Sequence, residues 1–122
     1  MTRLEASDEQ EYLYLTTRGR KTGRARQIEI WFTRRGRSYY VVAEHGLRAH
    51  WVQNLLVEPR VRWRVGTARH SGRARVVRAE TAPALVRDIQ ARSMRKYGWG
   101  DGLVVELDPG PRRARRRPRG DI

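Results

Sequence analysis

One short, strongly basic stretch of this 122-residue chain carries the residue types best suited to hold a phosphate. Residues 16–26 read TTRGRKTGRAR and contain five cations, two glycines and three threonines. Fixed positive charge beside the free backbone N–H groups of a glycine-containing loop favours an anion. Phosphates occur both in nucleic acids and in phosphorylated cofactors. The stretch by itself is compatible with either kind of ligand.

The spacing within this stretch matches neither of the two common phosphate-binding loops. The glycines around Lys21 are in the wrong order for GxxxxGK[ST], and GxGxxG is absent. Basic loops of this kind are also typical of solvent-exposed hairpins. Phosphate binding and a plain surface turn therefore both remain open from spacing alone.

Other kinds of catalytic chemistry have little support in the sequence. The chain has no cysteine, which excludes disulfides, thiolate metal sites and cysteine nucleophiles. The three histidines, His45, His50 and His70, do not have metal-ligand spacing, and there is no GxSxG nucleophile motif. An enzyme of this composition would depend on a bound cofactor. Its catalytic residues stay unknown, with Tyr97 and His50 as candidate proton donors and Tyr40 as a third.

Charge and hydropathy limit the partners and the location. The formal net charge is +14, which favours anionic partners such as nucleic acid, acidic membrane surfaces or phosphorylated ligands. Residues 111–122 carry six arginines and one acid, and we expect them to form a disordered tail because like charges repel. No apolar run approaches the ~20 residues of a membrane span, and no signal-peptide apolar region is evident. We therefore expect a soluble cytoplasmic protein.

Alternating apolar and polar residues predict about six strands on both sides of the basic stretch. The alternation is clearest in residues 60–67, where Val61, Trp63 and Val65 share one face. We place a hairpin turn at residues 34–37 and another turn near Ser71-Gly72. The predicted strands are residues 11–17, 26–33, 38–43, 60–67, 68–77 and 103–107.

Two segments have helical periodicity. Residues 48–57 place apolar side chains four apart, and Pro59 ends that helix. The second helix is expected to begin at Thr81 as N-cap, with Pro83 just inside, and to end at Gly98. Together these elements predict a mainly β fold in one domain, residues 1–110: a small split antiparallel β-barrel with two flanking helices.

Several motifs in order give the chain a family resemblance. The segments LTTRGRKTGRAR at 15–26, YVVAEHG at 40–46, WVQNL at 51–55 and EPRV at 58–61 resemble the deazaflavin-dependent nitroreductase and quinone reductase family. The similarity covers about residues 11–110. It implies the split β-barrel shared with FMN-binding, pyridoxamine-phosphate-oxidase-like proteins. It also implies the deazaflavin coenzyme F-420 as cofactor, with FMN as the alternative.

The resemblance further implies a function and a set of binding residues. Family members reduce quinones, nitroaromatics and enones by hydride transfer, and related FMN barrels commonly form homodimers. By the motif match, cations of the basic loop would hold phosphate and tail carboxylates, the segment after residue 42 would approach the ring edge, and the following helix would shape the ring pocket. The implied cofactor-binding residues are Arg20, Lys21, Thr22, Gly23, Arg26, Ala43, Glu44, His45, Gly46, Trp51 and Asn54.

The sequence also departs from the family pattern and admits two other functions. Glu44 stands where a small hydroxyl residue is usual, and His45 where a lysine is often found. One alternative is a basic nucleic-acid-binding barrel that uses exposed aromatics such as Trp31 and Tyr39 together with the Arg-rich tail. The other is a barrel that binds a flavin or haem-like ligand without turnover.

Overall fold

A computed structural model of the chain describes residues 10–110, and within them seven strands form one antiparallel sheet. Two α-helices and one 3-10 turn, Gly46–Arg48, complete the described part. The strands are β1 Tyr12–Arg18, β2 Ala25–Trp31, β3 Thr33–Arg35, β4 Ser38–Ala43, β5 Arg60–Val65, β6 Ala68–Val77 and β7 Leu103–Asp108. The helices are α1 His50–Val57 and α2 Pro83–Tyr97.

The strand order is β2-β1-β5-β6-β7-β4-β3, and the sheet curls into a half-barrel. Its concave face is filled by buried apolar side chains from β1, β4, β5, β6 and β7, with Leu55 of α1 packed onto them. In β5 these side chains are Val61, Trp63 and Val65, the three that the period-two alternation places on one face. The predicted mainly β, split-barrel fold class is confirmed.

The structure has one strand more than the predicted six because residues 26–33 are divided at Phe32. The backbone of Phe32 bonds to side chains of α2 rather than to a neighbouring strand. Its N–H donates to the Tyr97 hydroxyl at 3.1 Å, and its carbonyl accepts from Lys96 Nζ at 3.0 Å. A side chain from a helix distant in sequence thus interrupts the ladder, which local alternation does not reveal.

The outer, convex face of the sheet is covered on one side only. Helix α2 packs Val86 and Ile89 against Tyr40, Val77 and Val104, which forms a second apolar cluster over β4 and β7. Within the described residues no helix covers the outer face of β1 and β5, and at β2 the last residue of α2, Tyr97, reaches that face and stacks on Trp31. The half of the sheet under α2 is therefore buried on both faces, and the other half has one face in solvent.

The helix boundaries agree with the start and stop signals predicted from the sequence, with two differences. Helix α1 begins at His50 rather than residue 48, because a 3-10 turn occupies the preceding residues. Pro83 is at the first position of α2 as predicted, and Gly98 ends it in the left-handed region at φ 80°. The predicted N-cap was wrong: Ala82 is the N-cap, and the Thr81 hydroxyl instead donates to the carbonyl of Arg78 at 3.4 Å.

Two further sequence predictions were wrong. No turn occurs at Ser71-Gly72, since β6 runs unbroken and Gly72 pairs with Val61. The glycine instead allows a close approach, because a Cβ there would lie 2.0 Å from the Asp108 carbonyl oxygen. Tyr39 is buried, not exposed, at 3% of its accessible surface.

The predicted Arg-rich tail, residues 111–122, lies outside the described residues. In the part of the chain that is described, neither helix has the length and apolar character needed to cross a bilayer.

Candidate functional site

A cavity of about 820 Å³ lies between the β1–β2 loop, β2 and the start of α1. The loop keeps its shape through its own backbone bonds: Gly19 N–H donates to the Arg24 carbonyl and Gly23 N–H to the Gly19 carbonyl, both at 2.8 Å. Gly23 adopts φ 74°, a conformation that favours glycine. The basic stretch is therefore a built loop that faces a cavity. The lining residues are Gly19, Arg20, Lys21, Thr22, Arg26, Ile28, His45, Arg48, Ala49, His50, Trp51 and Asn54.

Asn54 of α1 attaches this loop to the helix. Its side chain is 5% exposed, and Oδ1 accepts from the backbone N–H of Arg20 at 3.1 Å and from Arg20 Nη1 at 2.8 Å. Its Nδ2 donates to the buried hydroxyl of Thr17 at 3.3 Å. One buried amide thus satisfies polar groups of both β1 and the loop, as expected for a buried polar side chain.

The guanidinium of Arg20 continues to the first turn of α1. Its Nη1 also approaches the His50 carbonyl at 3.4 Å, and its Nη2 lies 3.3 Å from His50 Nδ1. A guanidinium can only donate, so the contact requires Nδ1 of His50 to be the acceptor and places the ring proton on Nε2. Arg20 is therefore a fixed part of the cavity wall, held on two sides.

The other cations at the cavity are exposed to solvent. Lys21, Arg26 and Arg48 are exposed and line it, and none of the lining residues is acidic. Within residues 10–110 the backbone N–H groups of Lys21 and Thr22 make no backbone hydrogen bond in the turn. The Thr22 hydroxyl accepts from Arg24 N–H at 3.1 Å, which holds the turn closed. The loop thus presents cations and free donors to the same space, a combination that suits phosphate or carboxylate oxygens.

The remaining wall of the cavity is apolar. Ile28 of β2 and Ala49 and Trp51 at the start of α1 are half-buried and line it. Trp51 also packs against the main core, so it serves both the core and the cavity wall. A ligand with an anionic end and a flat, apolar ring system matches this division into a charged and an apolar wall.

The structure brings together most, but not all, of the residues expected from the sequence. Arg20, Lys21, Thr22, Arg26, His45, Trp51, Asn54 and His50 all line the cavity. Gly23, Ala43, Glu44, Gly46 and Tyr97 are not among its lining residues.

The five residues outside the lining have other positions. Ala43 is buried in β4 opposite Leu103, whereas Glu44 is exposed after the strand. Gly23 and Gly46 supply turn conformations with positive φ. The absence of Glu44 from the lining removes the acidic charge that would oppose an anionic ligand there.

Tyr97 is held by the backbone at another part of the fold. Its hydroxyl oxygen lies 2.7 Å from the Glu11 carbonyl oxygen and 2.9 Å from that of Phe32, so its single hydrogen donates to one of the two, and its ring stacks on Trp31 at 4.5 Å. Burial raises the pKa of Tyr97 to about 12, against a smaller lowering by the Phe32 backbone hydrogen bond. Its contacts join α2 to the N-terminal end of β1, and the cavity has no part in them.

Sequence reasoning did not single out two useful lining residues. Arg48 adds a cation from the 3-10 turn, and its only sequence signal is a basic residue in a loop before a helix. Ile28 is an apolar residue of an alternating strand, a pattern that indicates burial and does not mark a site. Within residues 10–110 no group of three or more His, Asp or Glu side chains is placed to hold a metal ion.

The chain matches the model of a known protein family. The family model of F-420-H2-dependent quinone reductases matches residues 2–100. No curated protein is a significant sequence match to the chain.

Solved structures with low sequence identity share the fold. The haem storage protein HutZ from Vibrio cholerae has a TM-score of 0.69 and 19% identity, with 88% of this chain and 87% of that chain covered. A pyridoxamine 5'-phosphate oxidase described as putative, from Listeria innocua, has a TM-score of 0.68 and 14% identity, covering 88% and 90%. An F-420-H2-dependent reductase, FDR-A, has a TM-score of 0.63 and 19% identity, covering 80% and 94%. These likenesses concern the fold.

Proposed function

The chain belongs to the F-420-H2-dependent quinone reductase family, and from this premise we propose that the cavity beside α1 binds reduced coenzyme F-420 and a small-molecule acceptor. The acceptor class is a quinone, a nitroaromatic or an enone. When bound, the deazaflavin supplies the hydride. The contribution of the chain is binding, orientation and electrostatics.

The observation that carries the proposal is the division of one cavity into a cationic loop and an apolar wall. Lys21 and Arg26 stand on the loop side, exposed and without an acidic neighbour in the lining. A phosphate there would gain charge-assisted hydrogen bonds, and Arg26 can donate two in parallel. The same charge-assisted hydrogen bonds would hold the anionic part of the coenzyme.

Arg20 and Asn54 have a different role in the proposal. Each of the two terminal nitrogens of the Arg20 guanidinium already contacts α1, Nη1 at Asn54 and Nη2 at His50. We assign to this pair the placement of the loop beside the cavity, which Lys21 and Thr22 line. Arg20 adds its charge to the site from the wall.

The apolar wall fits a tricyclic ring. Trp51, Ala49 and Ile28 present apolar surface to the cavity. The half-buried Trp51 ring favours stacking or edge contacts with another aromatic ring. His50 lies at the same wall with its Nε2 proton set by the Arg20 contact. We propose His50, rather than Tyr97, as the group placed to exchange a proton with an acceptor bound in the cavity.

The test is a fluorescence titration of F-420 with the full chain, in parallel with FMN. We expect F-420 to bind, and Lys21→Ala and Arg26→Ala each to weaken binding. Loss of a hydrogen bond to a charged group costs about 1.5–3 kcal/mol, or about 10- to 100-fold in the dissociation constant. Arg24→Ala is the matched control, since Arg24 is exposed on the same loop but does not line the cavity.

Two outcomes would overturn the proposal. One is that neither F-420 nor FMN binds the wild-type chain. The other is that Arg24→Ala weakens binding as much as Arg26→Ala, which would reduce the effect to overall charge. Binding of FMN in preference to F-420 would retain the site and replace the cofactor. Oxidation of reduced F-420 in the presence of a quinone, a nitroaromatic and an enone then identifies the acceptor class.

A further inference from the structure

We propose that the bare outer face of β1, β5 and β6 binds single-stranded nucleic acid, at a surface separate from the cofactor cavity. Two adjoining depressions of about 510 and 450 Å³ lie on this face and share Thr16, Arg62 and Ser71. They therefore form one continuous groove across three strands. None of the residues lining the groove lines the cavity beside α1.

The groove is built by strand alternation. Because residues i and i+2 of a strand share a face, Arg60, Arg62 and Arg64 all project outward while the valines and tryptophan between them are buried. The pairing register places Tyr14 opposite Arg64 and Thr16 opposite Arg62. Rows of outward side chains thus run across the sheet at regular spacing.

The charge on this face is unbalanced. Six arginines and a single carboxylate, Glu58, line the groove, and Glu58 is already bonded to Arg60 at 3.0 Å. Within residues 10–110, three of these arginines form no ion pair with an acidic side chain. Those three are Arg62, Arg69 and Arg73.

Some of these arginines oppose one another directly. Arg60 pairs with Arg73, and Arg64 with Arg69, across β5 and β6. Like charges directly opposite on one face of an antiparallel pair destabilise the sheet. A polyanion in the groove would relieve the repulsion between Arg64 and Arg69, and also that between Arg60 and Arg73, which the Glu58 carboxylate already offsets in part.

Aromatic and neutral polar groups accompany the charge. The Arg64 guanidinium lies over the Tyr14 ring at 4.5 Å. Tyr12 and Trp31 pair across β1 and β2 at the end of the same face, each more than a third exposed, and one face of the Trp31 ring is stacked on Tyr97. A positively charged groove with aromatic side chains beside it is the arrangement by which sheet proteins bind single strands, with the bases stacking on the rings. Thr16, Gln27 and Ser71 add hydrogen-bonding groups to the groove.

A second copy of this chain fits the face poorly. A two-fold contact places the same patch on both subunits, so the arginines of one groove would meet those of the other. Charge complementarity therefore favours an anionic partner over self-association.

The test is fluorescence anisotropy of a labelled oligothymidine with the full chain at several salt concentrations. The double variant Arg62→Glu/Arg73→Glu is compared with Arg37→Glu/Arg87→Glu, which makes the same change in net charge at exposed positions in the β3–β4 turn and on α2. We expect the groove variant to lose at least about 10-fold in affinity and the control much less. Removing two phosphate contacts should also reduce the slope of log affinity against log salt by about 1.4.

Circular dichroism and the F-420 titration show that each variant is folded, and Lys21→Ala/Arg26→Ala should retain oligonucleotide affinity. This separates the groove from the cofactor site. Equal losses in the groove and control variants would overturn the proposal, because net charge alone would then explain binding. So would binding to phosphatidylglycerol vesicles without binding to the oligonucleotide, or a dimer in light scattering that the groove variant abolishes.

Discussion

The side-chain amide of Asn54 holds Arg20 at two points, its backbone N–H at 3.1 Å and its guanidinium at 2.8 Å. The two residues are 34 positions apart, one in a helix and one in a loop. The same amide reaches the buried hydroxyl of Thr17 below. The position of the basic loop over the cavity therefore depends on one side chain of α1.

Replacement of this amide should affect both folding and binding. Asn54→Ala leaves the Arg20 N–H and the Thr17 hydroxyl without a partner, and a buried group left unsatisfied costs about 1–3 kcal/mol. We expect urea unfolding to show that loss and the F-420 titration to show weaker binding under conditions where the variant is still folded. Gln53→Ala is the control, because Gln53 is next to Asn54 and its side chain donates to the carbonyl of Leu47 instead of to the basic loop. If Asn54→Ala lowered the stability but left the F-420 affinity unchanged, the positioning role of Asn54 would be contradicted.

The sequence contained part of this relationship. A polar residue at a core-facing position of α1 needs a partner, and the order of the basic loop before the WVQNL segment pointed to one site. The identity of the partner was not accessible, because the fold alone brings residues 20 and 54 together. Arg20 was expected to hold the ligand, yet its guanidinium is largely engaged by the wall.

Burial was predicted correctly where each face of a strand has one environment, buried on one side and exposed on the other. Val61, Trp63 and Val65 alternate with arginines, and the structure buries all three. The prediction failed at Tyr39, because neighbouring residues of β4 are buried on both faces, one against the barrel core and one under α2. A strand covered on both sides loses its alternation, and nothing local in the sequence shows that a later helix will provide that cover.

Tyr97→Phe tests a candidate proton donor against a structural role. The change removes the hydroxyl that binds Glu11 and accepts from the Phe32 N–H, and we expect a loss of about 1–3 kcal/mol in unfolding free energy. The ring stack on Trp31 remains. F-420 affinity and turnover, measured below the unfolding transition, should be unchanged, because the hydroxyl does not line the cavity and its pKa is raised to about 12. Tyr12→Phe is the matched control on an exposed ring; a loss of turnover specific to Tyr97→Phe would restore Tyr97 as the donor.

His70 should make stability depend on pH. Burial, and then the nearby Arg34 charge, lowers the pKa of His70 below its ordinary 6.5 in the folded state. The folded chain thus binds fewer protons than the unfolded chain in this range, so its stability is fully present above pH 6.5 and falls as the pH drops through the folded pKa.

Urea unfolding of wild type and His70→Gln between about pH 5 and 8 measures this effect. The wild type should lose more stability than the variant on the acid side, while His45→Gln, an exposed histidine, should behave as the wild type does. Parallel pH curves for wild type and His70→Gln would show that the imidazole, 3.1 Å from the Tyr39 hydroxyl, does not contribute through its charge.

Gly72→Ala tests the close approach of Gly72 to the backbone of Asp108, at the position where the sequence predicted a turn. A Cβ at this position would lie 2.0 Å from the Asp108 carbonyl oxygen and 2.8 Å from its carbonyl carbon. Both are backbone atoms, so β6 and the end of β7 would have to separate where Arg73 pairs with Asp108. Overpacking of this kind costs about 1–3 kcal/mol or more, and thermal unfolding should show it. Ser71→Ala, the exposed neighbour on the opposite face, should change the midpoint little; equal midpoints for the two variants would mean that the strands part there without cost.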